Sequence, residues 1–94
     1  MSEWKEFLHE ELKDPDLSIE YEGLGPEFEI VQAMLIARRY AGITQTQLAA
    51  KTGINQSDIS RIENGDANPS LNTLKRLAAG MDMRLKLEFL PTHR

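Results

Sequence analysis

The side chains of this sequence best suited to chemistry are hydrogen-bonding groups rather than catalytic ones. Gln56 carries an amide whose donor and acceptor match N6 and N7 of adenine, and Arg61 carries a guanidinium that matches O6 and N7 of guanine or a phosphate. Ser57 and Ser60, between them, are small enough to permit close approach to base edges. Thr44, Gln45 and Asn55 fall at expected helix starts, where a phosphate oxygen accepts from free backbone N–H groups and neighbouring polar side chains. The same residue types also occupy ordinary solvated helix faces, so spacing alone leaves base reading and plain solvation both open. Glu10 with Glu11, or Asp14 with Asp16, form carboxylate pairs, but no base, nucleophile or oxyanion donor accompanies them. No catalytic residue is therefore assigned, and no enzyme is expected.

Bulk properties set the limits around these groups. Ninety-four residues, 40% of them hydrophobic, supply one small core and no more. Cysteine is absent, which removes disulfides and thiolate metal sites and agrees with a reducing cytoplasmic setting. The two histidines, His9 and His93, stand near opposite ends, so neither a metal nor another cofactor is expected. No apolar run approaches the length of a membrane span, and the acidic start does not resemble a signal peptide. The net charge of −4 conceals two unlike segments. Residues 1–27 hold nine acids against Lys5 and Lys13, for a net −7, whereas residues 28–94 hold nine bases against six acids, for a net +3. An acidic arm is thus attached to a surface able to face phosphate.

The elements that must position these groups are largely helical. Ser2 suits the N-cap of a short amphipathic helix bearing Trp4, Phe7, Leu8 and Leu12. Asp14-Pro15 opens a second piece through Leu17, Ile19, Tyr21 and Leu24, ended by Gly25-Pro26. From Pro26, Phe28, Ile30, Val31, Met34, Leu35, Ala37 and Ala41 wrap a wide inner face until Gly42 stops the helix. Thr44 and Gln47 fit a capping box for the next helix, with Leu48 and Ala49 buried, and Gly53 ends it. Asn55 caps a further helix with Ile59 and Ile62 inward and Gln56, Ser57, Ser60 and Arg61 outward, closed by Gly65. Asn68-Pro69-Ser70 starts another, with Leu71, Leu74, Leu77, Ala78 and Met81 on one face. The two short middle helices and their glycine-containing turn form a helix-turn-helix, whose second helix fits the DNA major groove. Finally, Leu85, Leu87 and Phe89 alternate with charged residues, the period of a strand. With no second strong strand, it pairs either within its own domain, where Ser18 to Tyr21 alternates weakly, or with the same strand of another copy; the second is favoured, giving a twofold dimer through Leu85, Leu87 and Phe89 and a palindromic operator.

The run from Gly42-Ile43-Thr44-Gln45-Thr46-Gln47-Leu48-Ala49 through Gly53-Ile54-Asn55-Gln56-Ser57-Asp58-Ile59-Ser60-Arg61-Ile62-Glu63-Asn64-Gly65 to Asn68-Pro69-Ser70-Leu71 resembles the Xre/Cro-type helix-turn-helix family. The resemblance implies a lambda-repressor-like helical bundle. It implies phosphate contact by Gln45, base contacts by Gln56, Ser57 and Arg61 with Ser60 close by, and an ion pair between Arg38 and Glu63. The chain departs from the family at one helix end, with Asp82 where glycine is usual and Gly80 where alanine is common. The flanks, Asp14-Pro15-Asp16-Leu17, Glu20-Tyr21 and Pro26-Glu27-Phe28-Glu29-Ile30, resemble HigA-like antitoxins. That likeness implies a small basic RelE/HigB-like, mRNA-cleaving toxin as partner and repression of the protein's own operon.

The expected organisation is therefore an acidic arm over residues 1–25, a helix-turn-helix domain over 26–82, and a strand with tail over 83–94. On the antitoxin reading the arm meets the toxin through Trp4, Phe7, Leu8, Glu10 and Glu11, because aromatic anchors dominate interfaces and acids steer toward a basic nuclease. A stand-alone Xre-type regulator without a toxin is the alternative, with the arm merely packed on its own domain. A protein-interaction module that kept the fold and lost DNA binding is a third reading, separated by the salt dependence that phosphate contacts produce.

Overall fold

The computed structural model describes residues 3–13 and 25–92. Five helices follow in order: α1 (Glu3–Glu11), α2 (Pro26–Ala41), α3 (Gln45–Thr52), α4 (Gln56–Glu63) and α5 (Leu71–Gly80). The expected Ser2 cap and the second piece of the arm, Asp14 to Leu24, lie outside the described residues.

Local chemistry accounts for the helix starts. Pro26 opens α2, its fixed φ suiting the first helical turn, with Glu27 and Glu29 at the positive end of the dipole and Arg38 and Arg39 at the negative end. At α3 the Thr44 hydroxyl accepts from the Gln47 N–H (3.0 Å) while the Thr44 N–H donates to the Gln47 amide oxygen (2.9 Å). Ser70 caps α5 by accepting from the Thr73 N–H at 3.1 Å. Asn55 differs from expectation: its backbone is extended at the N-cap of α4, but its side chain makes no capping hydrogen bond.

These helices close around Leu48 and Ile59, both without exposed surface, together with Leu77, Met34, Ile54, Ile62 and Met81. Burying each such side chain contributes about 1.5–3 kcal/mol. Val31 and Ile36 of α2 are buried as well, whereas Ala41, at its last turn, is exposed. Leu71, expected on the inner face of α5, is 55% exposed, because the first turn of α5 projects beyond the core; the buried residues of the helix are Leu77, Ala78 and Gly80.

The C-terminal strand is not found. Residues 83–92 carry no regular structure, and the described residues contain no strand. A strand requires a neighbour for its backbone donors and acceptors, and within one chain the described residues are helices that offer none. Leu85 is half-buried, whereas Leu87 and Phe89 are exposed.

The departure from the family pattern at the end of α5 has a physical explanation. Asp82 takes the left-handed conformation (φ 59°), allowing its N–H to reach the Ala79 carbonyl and the Met83 N–H to reach that of Ala78, which is the Schellman arrangement. Gly42 closes α2 in the same way, bonding to Arg39 while Ile43 bonds to Arg38. Gly80 answers a different need. A Cβ there would lie 2.5 Å from the Thr52 methyl and 3.0 Å from a Leu48 methyl, so its absence lets α5 lie against α3. Thr52 is not free to turn aside, since its hydroxyl donates to the Leu48 carbonyl and accepts from the Ile54 N–H.

Gly80→Ala is therefore expected to destabilise the protein by about 1–3 kcal/mol through overpacking, while Asp82→Gly, relieving left-handed strain, is neutral or stabilising by up to about 1 kcal/mol. Urea unfolding of both variants checks this; a Gly80→Ala variant as stable as wild type contradicts the close-packing explanation.

Candidate nucleic-acid interface

The interface begins with what holds α3 and α4 in place. Glu63, at the end of α4, has a side chain only 4% exposed. Its carboxylate accepts from Arg38 Nε at 2.7 Å and Nη2 at 2.9 Å, and from Gln45 Nε2 at 2.9 Å. The remaining Arg38 nitrogen, Nη1, donates to the Ile43 carbonyl at 3.1 Å. One carboxylate thus joins the last turn of α2, the first residue of α3 and the last of α4. Among the described residues no buried polar side-chain atom is left without a partner.

The three-residue turn between α3 and α4 is secured from α5. Gly53 is left-handed (φ 77°) and its N–H bonds to the Ala49 carbonyl, while Arg76 Nη2 donates to the Thr52 carbonyl at 2.6 Å. With α4 thus fixed, Ile59, Ile62 and Glu63 face inward and Gln56, Ser57 and Arg61 lie exposed. Ser60 is half-buried at the edge of that face. Arg61 lies 3.6 Å from Asp58 and reaches toward the Asp66 carbonyl at 3.5 Å, a loose tethering that leaves its guanidinium at the surface. Thr44 and Asn55 are exposed beside the starts of α3 and α4, on backbone N–H groups suited to an anion. Gln45 is half-buried and turned toward Glu63, so it works first as a tie between helices.

The arm residues meet the domain itself. Trp4 and Phe7 are half-buried and pack edge-on against Tyr40 of α2, with ring centroids 5.0 and 5.2 Å away. Glu11 pairs with Arg39 at 2.6 Å, Glu10 lies 3.5 Å from Lys13, and Leu8 is half-buried. The described residues hold no group of three or more His, Asp or Glu able to bind a metal, and no helix long and apolar enough to cross a membrane.

Three participants escape sequence reasoning. Tyr40, at the C-terminal turn of α2, has no amphipathic partner of its own there and is legible only once α1 lies beside it. Arg76 bonds a carbonyl 24 residues away. Thr46 donates its hydroxyl to the Gln56 amide oxygen at 3.1 Å; its position two residues into a capped helix is the sole local signal that it faces outward.

Residues 36–86 match the helix-turn-helix family. Over 92% of its length the chain is 31% identical to an uncharacterized HTH-type transcriptional regulator of Haemophilus influenzae, covering 84% of that protein. It is 30% identical over 79% of its length to the antitoxin HigA1 of Mycobacterium tuberculosis, spanning half of that chain. It is also 36% identical to the antitoxin HipB of Escherichia coli, over 63% of each. No solved structure matches.

The shared carboxylate makes a double substitution informative. Arg38→Met leaves Glu63 buried without its charge partner and is expected to cost about 3–5 kcal/mol, whereas Arg38→Met with Glu63→Leu recovers most of that loss. Chemical denaturation of the single and double variants measures the difference. A double variant no more stable than the single one would show that the packing, not the charge, governs this site.

Proposed function

This chain belongs to the helix-turn-helix family and is a DNA-binding regulator of that kind; on that premise we propose that it is an antitoxin that also represses its own operon. The observation that carries the DNA part is the arrangement of α4: its inner face is locked by Ile59, Ile62 and Glu63, so Gln56, Ser57 and Arg61 are presented together on a rigid helix. Phosphates flank them at Thr44 and Asn55. Two copies bind together, burying the exposed Leu87 and Phe89 against each other and setting their α4 helices one DNA turn apart on a palindromic operator.

The antitoxin part is supported by relatives named as antitoxins, HigA1 and HipB, and by the acidic arm. Glu3, Glu6 and Glu10 are exposed on α1, and they suit a small basic ribonuclease of the RelE fold by competing with RNA for its cationic groups. The alternative, a stand-alone regulator, draws on the relative named only as a transcriptional regulator and on the packing of Trp4 and Phe7 against Tyr40, which occupies part of the arm's apolar face.

Arg61→Ala is expected to weaken operator binding by about 1–3 kcal/mol and to relax specificity at one base pair, with wild-type affinity falling steeply with salt. Equal loss on random DNA would reduce Arg61 to a phosphate contact, an affinity insensitive to salt would remove the DNA reading, and a monomer in sedimentation would remove the two-copy arrangement.

The arm is tested by Glu3→Gln, Glu6→Gln and Glu10→Gln together. Wild type is expected to capture a small basic ribonuclease stoichiometrically and to suppress its RNA cleavage. The triple variant should still bind the operator but suppress cleavage at least tenfold less well. If wild type captures no ribonuclease while both proteins bind DNA, the chain is a plain repressor.

A further inference from the structure

The Met83 N–H bonds to the Ala78 carbonyl, and beyond it the backbone of residues 84–92 makes no hydrogen bond among the described residues. Leu85 and Leu87 of this tail line an open apolar groove together with Leu71 and Ala78 of α5. Lys75 and Arg84 line it as well, so the groove is cationic. Phe89 and Leu90 lie outside that lining and are exposed, as is Leu71. One chain thus carries an unfilled apolar groove, the apolar side chains to fill it, and an unpaired backbone. A second copy answers all three.

Charge decides how the two copies meet. Two tails related by a twofold axis run antiparallel, and the residue on the axis faces itself. The alternation of Leu85, Leu87 and Phe89 with Arg84, Lys86 and Glu88 requires apolar residues to face apolar ones, so one of residues 85 to 89 must lie on the axis. Lys86 or Glu88 there would face its own charge, and Leu85 there would set Arg84 against Lys86; like charges directly opposite are destabilising. Phe89 there would set Leu87 opposite Pro91, which has no N–H to donate. Leu87 remains. It places Glu88, the one acid of residues 83–94, opposite the partner's Lys86 on both sides of the axis, and Phe89 opposite the partner's Leu85. From this complementarity we infer that two copies join with Leu87 on the twofold axis, Glu88 pairing with the partner's Lys86 and Phe89 filling the partner's groove beside Leu85 and Leu71. The inference rests on the two-copy reading and adds which residues meet.

The test is sedimentation equilibrium of the full-length protein, of Lys86→Glu, of Glu88→Lys and of the variant carrying both, with thermal unfolding of each to show intact folding. Each single variant sets like charges opposite twice and is expected to raise the dimer dissociation constant about tenfold. The double variant exchanges the charges across the same pairs and should recover wild-type association, which no other register allows. Since the chain has no cysteine, Leu87→Cys adds one thiol, and mild oxidation should link its dimer about tenfold faster than that of Leu85→Cys or Phe89→Cys. A dimeric wild type whose double variant stays as weak as the single ones, or whose Leu85→Cys form links fastest, overturns this register and leaves the two-copy reading standing. A monomeric wild type overturns that reading, and this inference with it.

Discussion

A carboxylate removed from water must be fully hydrogen-bonded, and the buried Glu63 imposes that requirement on three helices at once. Among the described residues Arg38 supplies the charge that meets it, and it does so with two nitrogens while its third bonds the Ile43 carbonyl at the start of the connection to α3. Gln45 completes the set. The angle between α3 and α4 is therefore not left to apolar packing, which tolerates small rotations, but is pinned by directional bonds at the end of α4 opposite its exposed start. A reading helix must present its side chains to within a fraction of an ångström, and a hydrogen-bonded tie supplies that where methyl contacts do not.

The same demand governs the far side of the motif. Arg76 bonds the Thr52 carbonyl, Gly53 turns left-handed, and Gly80 brings α5 close enough for Thr52 and Leu48 to touch its backbone. The placing of glycine at position 80 and of aspartate at position 82 follows from this. Close helix contact needs the missing Cβ at position 80, and an aspartate accepts the left-handed conformation at position 82 better than a branched or bulky residue would. The protein thus tolerates strain at an exposed helix end and places its glycine where the core is tight.

Most of the bundle is legible in the sequence because its signals are local. Gly42, Gly53 and Gly65 stop helices, Thr44 and Gln47 form a box within four residues, and Ile59 and Ile62 repeat at helical spacing. What is not legible depends on groups distant in sequence. Asn55 looks like a cap, yet its side chain is not used as one; Gln45 looks like a free phosphate ligand, yet Glu63 draws it inward. Leu85, Leu87 and Phe89 show that a period of two specifies which side chains share a face but not that a ladder exists: the ladder needs a second strand, and the described part of the chain is helical. Among the candidate site residues, type and exposure are readable for Gln56, Ser57 and Arg61, while the bond between the Thr46 hydroxyl and Gln56 across the turn is not.

On the antitoxin reading, the acidic arm extends the same physics to recognition by a protein. Trp4 and Phe7 are committed in part to Tyr40, and Glu11 to Arg39, so the arm's apolar stripe and one of its acids already serve to hold α1 against α2. What remains outward is charge: Glu3, Glu6 and Glu10. Exposed carboxylates contribute little to the lifetime of a complex, because water and salt screen them, but they raise the rate of encounter with a basic surface. A tight toxin complex would need apolar burial as well, and the aromatic ring cluster at Tyr40 is the place where an incoming partner would find it by taking over the contacts of Trp4 and Phe7. On the antitoxin reading, then, steering and holding are divided between the two faces of one short helix.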